Sequence, residues 1–258
     1  MKRLKLLMLF GVMALFTASA FADGLDTAND PNVVLWLDFE DEEPRDLSPK
    51  QTMLSSVTEG TVVEGIIGNA WLFEEGTRLS ILGQSMVIPF KETTVSVWVL
   101  NSSDTGILYE EGGGTNGHCI QLSGGLLHYC ARDAGLATCI QADFPVNDDE
   151  WHFVATVFNN GAIELYIDGE MVADEDNVPG IGSHANETGI GHVGIPTVGI
   201  SCTTNAGQWT GVMDRLVVTR RVATAQEIKE EFQDSGGTSV NANDRAAITW
   251  GDIKITYR

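Results

Sequence analysis

The sequence predicts an all-β protein, built as two packed antiparallel sheets with one short helix near its C-terminus. Three observations predict it. Apolar and polar residues alternate in short segments, the period of a half-buried strand. Turn formers separate these segments: Gly124-Gly125, Asn159-Asn160-Gly161 and Asp168-Gly169 all tolerate positive φ. No helical period runs through the middle of the chain, and 28 glycines against 7 prolines fit many tight turns. Many strands at this spacing, with almost no helix, close as two sheets packed face to face.

In order, strands are expected at Val33 to Phe39, Arg78 to Ile81, Thr94 to Leu100, Gly106 to Tyr109, His118 to Leu122 and Leu126 to Ala131. Leu136 to Ala142, Trp151 to Phe158, Ala162 to Asp168, Gly189 to Val193 and Thr210 to Thr219 follow. In the strand from Ala162, Ile163, Leu165 and Ile167 share one face and Glu164 and Tyr166 the other, as in a half-buried sandwich strand. The helix begins at Thr224-Ala225-Gln226-Glu227. Its spacing is that of a capping box, in which the Thr oxygen accepts from the N3 amide and Glu227 reaches back. Ile228 and Phe232 lie four apart on its buried side, and Gly236-Gly237 ends it. Gly-rich EGGGTNGH (111–118) lacks the Lys-Ser/Thr of a phosphate-binding loop and reads as a flexible loop. The expected organisation is a removable leader over residues 1–22, one domain over 23–233, and a polar linker with a strand-like end over 234–258.

Charge and termini bound the function. The 258 residues carry 36 acidic and 15 basic side chains, for a formal net charge of −21. That excludes a nucleic-acid backbone or an anionic membrane as partner, since both need concentrated Lys and Arg. Lys2, Arg3 and Lys5, the apolar run Leu6 to Phe16, and Ala20-Phe21-Ala22 read as a secretory signal with Asp23 next. No later segment is apolar enough to span a bilayer, so a soluble, exported protein is expected.

The four cysteines, Cys119, Cys130, Cys139 and Cys202, are an even set in an exported protein and favour disulfides over zinc, whose paired CxxC spacing is absent. A two-residue turn at Gly124-Gly125 places Cys119 directly opposite Cys130, leaving Cys139 for Cys202. A turn at Ala134-Gly135 instead opposes Cys130 and Cys139, leaving Cys119 for Cys202. The first pairing is the preferred expectation.

Five segments then resemble a known family in its own order: VVLWLDFED (33–41), GNAWLFEEG (68–76), TTVSVWVL (93–100), EWHFVATVFNNGAIELYIDGEMV (150–172) and WTGVMDRLVVTRRVATAQEIKEEF (209–232). The chain is similar to the LamG-like jelly rolls of the concanavalin A-like lectin/glucanase superfamily. The resemblance implies an antiparallel jelly-roll sandwich, with Trp98 and Trp151 as core anchors, Trp209 more ambiguous, and Asp168 as a structural turn residue.

The same superfamily contains glucanases. Retaining hydrolysis needs two carboxyl groups about 5–5.5 Å apart. The laminarinase-type pattern is E-x-D-x-E on a central strand. The nearest string, LDFEDEE (37–43), alternates Asp38, Glu40 and Glu42 but has the wrong order of residue types, at the first strand. No nucleophile elbow or HExxH zinc motif is present, so no catalytic residue is assigned and the protein is expected not to be an enzyme. Calcium is the stronger chemical expectation, because such jelly rolls often carry it. The family's acidic positions correspond to Glu40, Asp41 and Asp46 after the first strand and Asp214 at the start of the last, and first and last strands of such sandwiches commonly neighbour each other. Strand alternation also puts Gln121, His128 and Gln141 on one face beside the cysteines, where they can hydrogen-bond sugar hydroxyls. The leading functional expectation is a secreted, non-catalytic binder of polysaccharide or glycoprotein. The alternatives are an adhesion protein contacting other extracellular proteins and, behind it, a glycan-cleaving enzyme.

Overall fold

The computed structural model describes residues 29–58, 60–81, 86, 91–101, 103–184, 188–192 and 207–237. The expected leader, Cys202, and most of the 234–258 segment lie outside them. The first strands are β1 (Val33–Leu37), β2 (Ser56–Val57), β3 (Thr61–Glu64), β4 (Asn69–Phe73) and β5 (Leu79–Ile81). Then come β6 (Glu92–Asn101), β7 (Thr105–Gly112), β8 (Gly117–Ser123), β9 (Leu126–Asp133) and β10 (Leu136–Pro145). The last are β11 (Trp151–Asn159), β12 (Ala162–Ile167), β13 (Glu170–Asp176), β14 (Thr188–Ile190) and β15 (Gly211–Thr219), followed by helix α1 (Ala225–Phe232).

Among the described residues these strands form two antiparallel sheets. One runs β13-β12-β11-β6-β15-β4-β3, with β1 also paired to β15. The other runs β10-β9-β8-β7-β14-β5-β2. The expected two-sheet sandwich is therefore the observed one, and its first and last strands are neighbours. Between the sheets pack Val95, Val97 and Val99 of β6, Trp71 and Phe73 of β4, Tyr109, Ile120 and Tyr129, all buried. Each such side chain stabilises the fold by about 1.5–3 kcal/mol through apolar area removed from water. Trp209 also belongs to this core. It packs 5.5 Å from the Phe73 ring, and its Nε1 donates to Asn101 Oδ1 at 2.6 Å, so its polar tip is satisfied.

The outer face of the first sheet is apolar too, and α1 covers part of it. Thr224 caps the helix: its hydroxyl accepts from the Glu227 amide, and Glu227 accepts from the Thr224 amide, the expected reciprocal box. Phe232 then lies 5.6 Å from the Trp98 ring, beside Phe153 and the buried Ile228.

Strands β2, β3, β4 and β13 were not expected. In β4, Ala70, Trp71, Leu72 and Phe73 are all buried, so both faces are apolar and no alternation is visible. Strand β13 (EMVADED) is an exposed acidic edge with no apolar period to read. Strand β1 ends two residues early because Phe39 turns to a φ of 58°. Of the expected strand Gly189 to Val193, Gly189 and Ile190 lie in β14, and Val193 falls outside the described residues.

The preferred cysteine pairing is corrected. Both expected hairpins form, so Cys130 on β9 stands opposite Cys119 on β8 and also opposite Cys139 on β10. In an antiparallel sheet a residue sends its N–H and C=O to the same neighbour. It therefore makes a wide, hydrogen-bonded pair on one side and a close, non-hydrogen-bonded pair on the other. The bonded pair is Cys130–Cys139, with a Cα separation of 4.1 Å, the close kind. Cys119 is disulfide-bonded as well, to a partner outside the described residues.

Proteolytic mapping without reduction should recover Cys130 joined to Cys139, and a Cys119–Cys130 peptide would contradict this pairing. Cys130→Ala combined with Cys139→Ala should cost about 2–3 kcal/mol of stability, the loop-closure value for so short a loop, read as a lower denaturant midpoint.

Candidate functional site

The loop between β1 and β2 builds a wall. Its anchor is Asp46, which is 7% exposed. Asp46 Oδ1 accepts from the amides of Trp36 and Ser48, each at 2.9 Å. Its Oδ2 accepts from Ser48 Oγ at 2.9 Å and the Thr52 amide at 2.5 Å. Four donors on one carboxylate fold the loop back on β1, reinforced by Leu47 N to Trp36 O at 2.8 Å. The wall faces β3 and β2, which end the two sheets on the same side of the sandwich. Between them lies an open cleft of about 1150 Å³, lined by Glu42, Arg45, Gln51 and Thr61 together with the apolar Met53 and Val57. Met53 is 81% exposed.

A carboxylate pair sits nearby, at the Gly65–Gly68 turn joining β3 to β4. The register of β15 on β6 shifts after Asp214, and Arg215 takes a φ of 48°, so the strand bulges there. Asp214 itself keeps the outer face that alternation from Val212 gives it. Here Asp214 Oδ2 accepts from the Ile67 amide at 3.0 Å, while Glu40 Oε2 accepts from the Asn69 amide at 3.0 Å. Gly68 has a φ of +68°, a conformation that favours glycine, and it lies against the Glu40 carboxylate. Asp214 is 1% exposed. Burial, with Glu40 as a second carboxylate beside it, lifts its pKa to about 7 against the pull of the Ile67 and Ile66 amides.

The four expected calcium ligands thus divide. Glu40 and Asp214 bond to the same β3–β4 turn, near enough for the charge of Glu40 to act on Asp214. Asp46 spends its oxygens on the loop, and Asp41 is exposed in a surface pair with Arg45 at 3.1 Å. Calcium takes six to eight oxygens, and among the described residues no group of three His, Cys, Asp or Glu side chains is placed to hold a metal. The four residues as a set do not fit the ion.

The expected sugar-facing row is aligned. His128 stands opposite Gln121 on one side and Gln141 on the other. Its exposure is uneven: Gln121 is buried, His128 half-buried and Gln141 exposed. Burial lowers the His128 pKa. Asp168 is structural as expected. Its Oδ1 accepts from the Phe153 amide and its Oδ2 pairs with His152 Nδ1, both at 2.9 Å. His152 Nε2 faces Asp148 at 3.2 Å. Burial opposes the imidazolium, yet the two carboxylates raise the His152 pKa.

Sequence reasoning missed one buried network. Residues 111–118, expected as a loop, are the end of the β7–β8 hairpin, with Glu111 opposite His118. Glu111 accepts from Tyr109 OH at 2.9 Å and the Met86 amide at 2.6 Å, and faces His118 Nε2 at 3.4 Å and His184 Nε2 at 3.0 Å. His184 Nδ1 lies 2.8 Å from the Gly182 carbonyl, so oxygens stand at both of its ring nitrogens. Despite burial, the two histidines hold Glu111 well below the carboxylate range, and Glu111 raises His184. The network is closed to solvent and serves the core. Its only sequence signal was a Glu and a His flanking a glycine-rich stretch, which a two-residue strand pairing would have aligned.

Residues 76–229 match the family model Laminin_G_3, described as the Concanavalin A-like lectin/glucanases superfamily. Solved structures share the fold. The binding domain of Paraclostridial Mosquitocidal Protein 1 superposes with a TM-score of 0.63 at 18% identity, covering 79% of this chain and 52% of that one. The receptor binding domain of botulinum neurotoxin C/D mosaic serotype gives 0.61 at 15%, covering 79% and 51%. The binding domain of botulinum neurotoxin DC, in complex with rat synaptotagmin II, gives 0.60 at 12%, covering 79% and 52%. The chain spans about half the length of these neighbours. Among the described residues no helix is long and apolar enough to cross a membrane.

Asp214 has a raised folded pKa, so its contribution is greatest below the ordinary carboxyl value and is lost as pH rises towards about 7. Asp214→Asn should therefore flatten the fall in melting temperature between about pH 4 and pH 7; parallel pH profiles would contradict the raised value. Asp46→Ala removes four acceptor contacts and should cost about 3 kcal/mol or more in chemical denaturation. A loss under about 0.5 kcal/mol would mean that the loop is held otherwise.

Proposed function

This chain belongs to the Laminin_G_3 family of the concanavalin A-like lectin/glucanases superfamily, and from that premise we propose that it is an exported, non-catalytic binding protein whose ligand is a polysaccharide or glycoprotein. The observation that carries this reading is the cleft beside β3. It offers Arg45, Gln51, Glu42 and Thr61 as hydrogen-bonding groups around exposed apolar side chains, the mixture that orients a ligand while removing area from water. Export rests on the basic, apolar and small-residue succession over residues 1–22. A hydrolytic role finds little support. Glu40 and Asp214 are both turned onto backbone amides, and Asp214 is buried.

One observation favours protein contact instead. Among the described residues no aromatic ring lines the cleft, whereas Met53 and Val57 stand 81% and 45% exposed. Sugar sites commonly present an aromatic face to the ring, and protein contacts make more use of flexible apolar side chains such as Met.

A glycan array, run on protein lacking residues 1–22 with calcium and again with chelator, separates these readings. The proposal expects a defined set of bound glycans, equal signals in both buffers, and at least tenfold weaker binding by Arg45→Ala/Gln51→Ala at unchanged melting temperature. An empty array would overturn the glycan reading in favour of protein contact. Release of reducing sugar would overturn the non-catalytic one.

A further inference from the structure

Met53 is the most exposed large apolar side chain among the described residues, and it lines the cleft. Its backbone is nonetheless fixed. Thr52, just before it, is buried, donates its amide to Asp46 Oδ2 at 2.5 Å and its hydroxyl to the Val34 carbonyl at 3.4 Å. Leu54, just after it, packs against the core. With both neighbours turned inward, Met53 stands in the cleft on a backbone that is held from both sides.

The other described methionines differ from it in exposure or in place. Met86 and Met213 are 0% exposed, against 81% for Met53. Met171 is 53% exposed but lies on β13, at the opposite end of its sheet from β3 and the cleft. Thiols are the usual first target of a mild oxidant, and among the described residues no cysteine is free to compete.

We propose that Met53 is an oxidation site whose conversion to the sulfoxide weakens binding in the cleft, a role that rests on the cleft being the binding surface. The oxidant is a peroxide. The thioether sulfur attacks one peroxide oxygen, the O–O bond breaks and an S–O bond forms. The departing hydroxide takes the proton of the new S–OH and leaves as water. Sulfur has lost two electrons and the peroxide has gained them. A sulfoxide reductase with a thiol reductant returns the thioether. The thioether is flexible and polarisable and suits an adaptable apolar contact. The sulfoxide is polar and chiral, and its oxygen is a hydrated acceptor. Covering that oxygen with a ligand strips its water, and where no donor meets it, binding weakens by about tenfold or more. A sulfoxide at Met171, on an exposed edge far from the cleft, has no such effect and serves as an internal control.

The test treats protein lacking residues 1–22 with hydrogen peroxide, maps it by peptide mass and applies it to the glycan array. Met53 and Met171 should gain oxygen while Met86 and Met213 stay reduced. Array signals should fall by at least about tenfold as Met53 converts, at unchanged melting temperature. Met53→Gln, a polar side chain of similar length, should give the low signal without peroxide. Met53→Leu should make the signal, whatever its untreated strength, insensitive to peroxide, and Met171→Leu should leave the loss in place. A sulfoxide reductase with a thiol reductant should restore the signal. Signals that survive full conversion of Met53, or that fall equally in Met53→Leu, would overturn the proposal. So would Met53 staying reduced while Met86 or Met213 converts. An array empty for untreated protein would instead overturn the glycan reading, and the switch with it.

Discussion

A buried carboxyl group on β15, bonded to the backbone of a turn 147 residues earlier in the chain, holds one side of the sandwich in register. Strand β15 is the hub of its sheet, since it pairs with β6 along one edge and with both β4 and β1 along the other. Two partners on one edge must share it, and the bulge at Asp214 and Arg215 falls where they divide. Asp214 stands just before it, on the same outer face as Val212, where its oxygen accepts from the Ile67 amide and fixes the β3–β4 turn. That turn sets the position of β3, and β3 is one wall of the cleft. The chain of consequence runs from one buried carboxyl to the shape of the candidate binding surface.

The same economy explains how so acidic a chain folds. Many of its carboxylates accept hydrogen bonds from backbone amides in turns and caps. Asp30 serves Asn32, Asp46 serves Trp36, Ser48 and Thr52, Asp168 serves Phe153, and Glu227 serves Thr224. Such charge-assisted bonds are roughly twice as strong as neutral ones. They offset part of the repulsion among like charges that a net charge of −21 imposes. They also remove these acids from candidacy as catalysts or metal ligands, which moves functional interest to the mixed surface of the cleft.

Local chemistry was legible in the sequence wherever one residue type has one local use. The capping box at Thr224 and Glu227, the Asp168 turn and the strands with a polar face all follow from short-range pattern. The alignment of Gln121, His128 and Gln141 follows from the turn positions alone. Legibility failed where the outcome depends on parity or on a distant partner. Both cysteines opposite Cys130 satisfy the spacing, and hydrogen-bond parity across the sheet decides between them. Asp46 and Asp214 look alike in sequence, yet one closes its own loop and the other reaches across the sheet. Strand β4 hid because both its faces are apolar, and the Glu111 network hid inside a stretch whose glycines suggested a loop.

The central claim is that Asp214 is an interior clamp and not a group facing a ligand or an ion. Carbon-13 NMR of the aspartate carboxyls, followed from pH 3 to pH 9 with and without calcium, tests it residue by residue. The account predicts that the Asp214 carboxyl carbon titrates near 7 and is unmoved by calcium. A midpoint near 4, the ordinary value, together with a shift on adding calcium, would make Glu40 and Asp214 an open, ion-ready pair and contradict it.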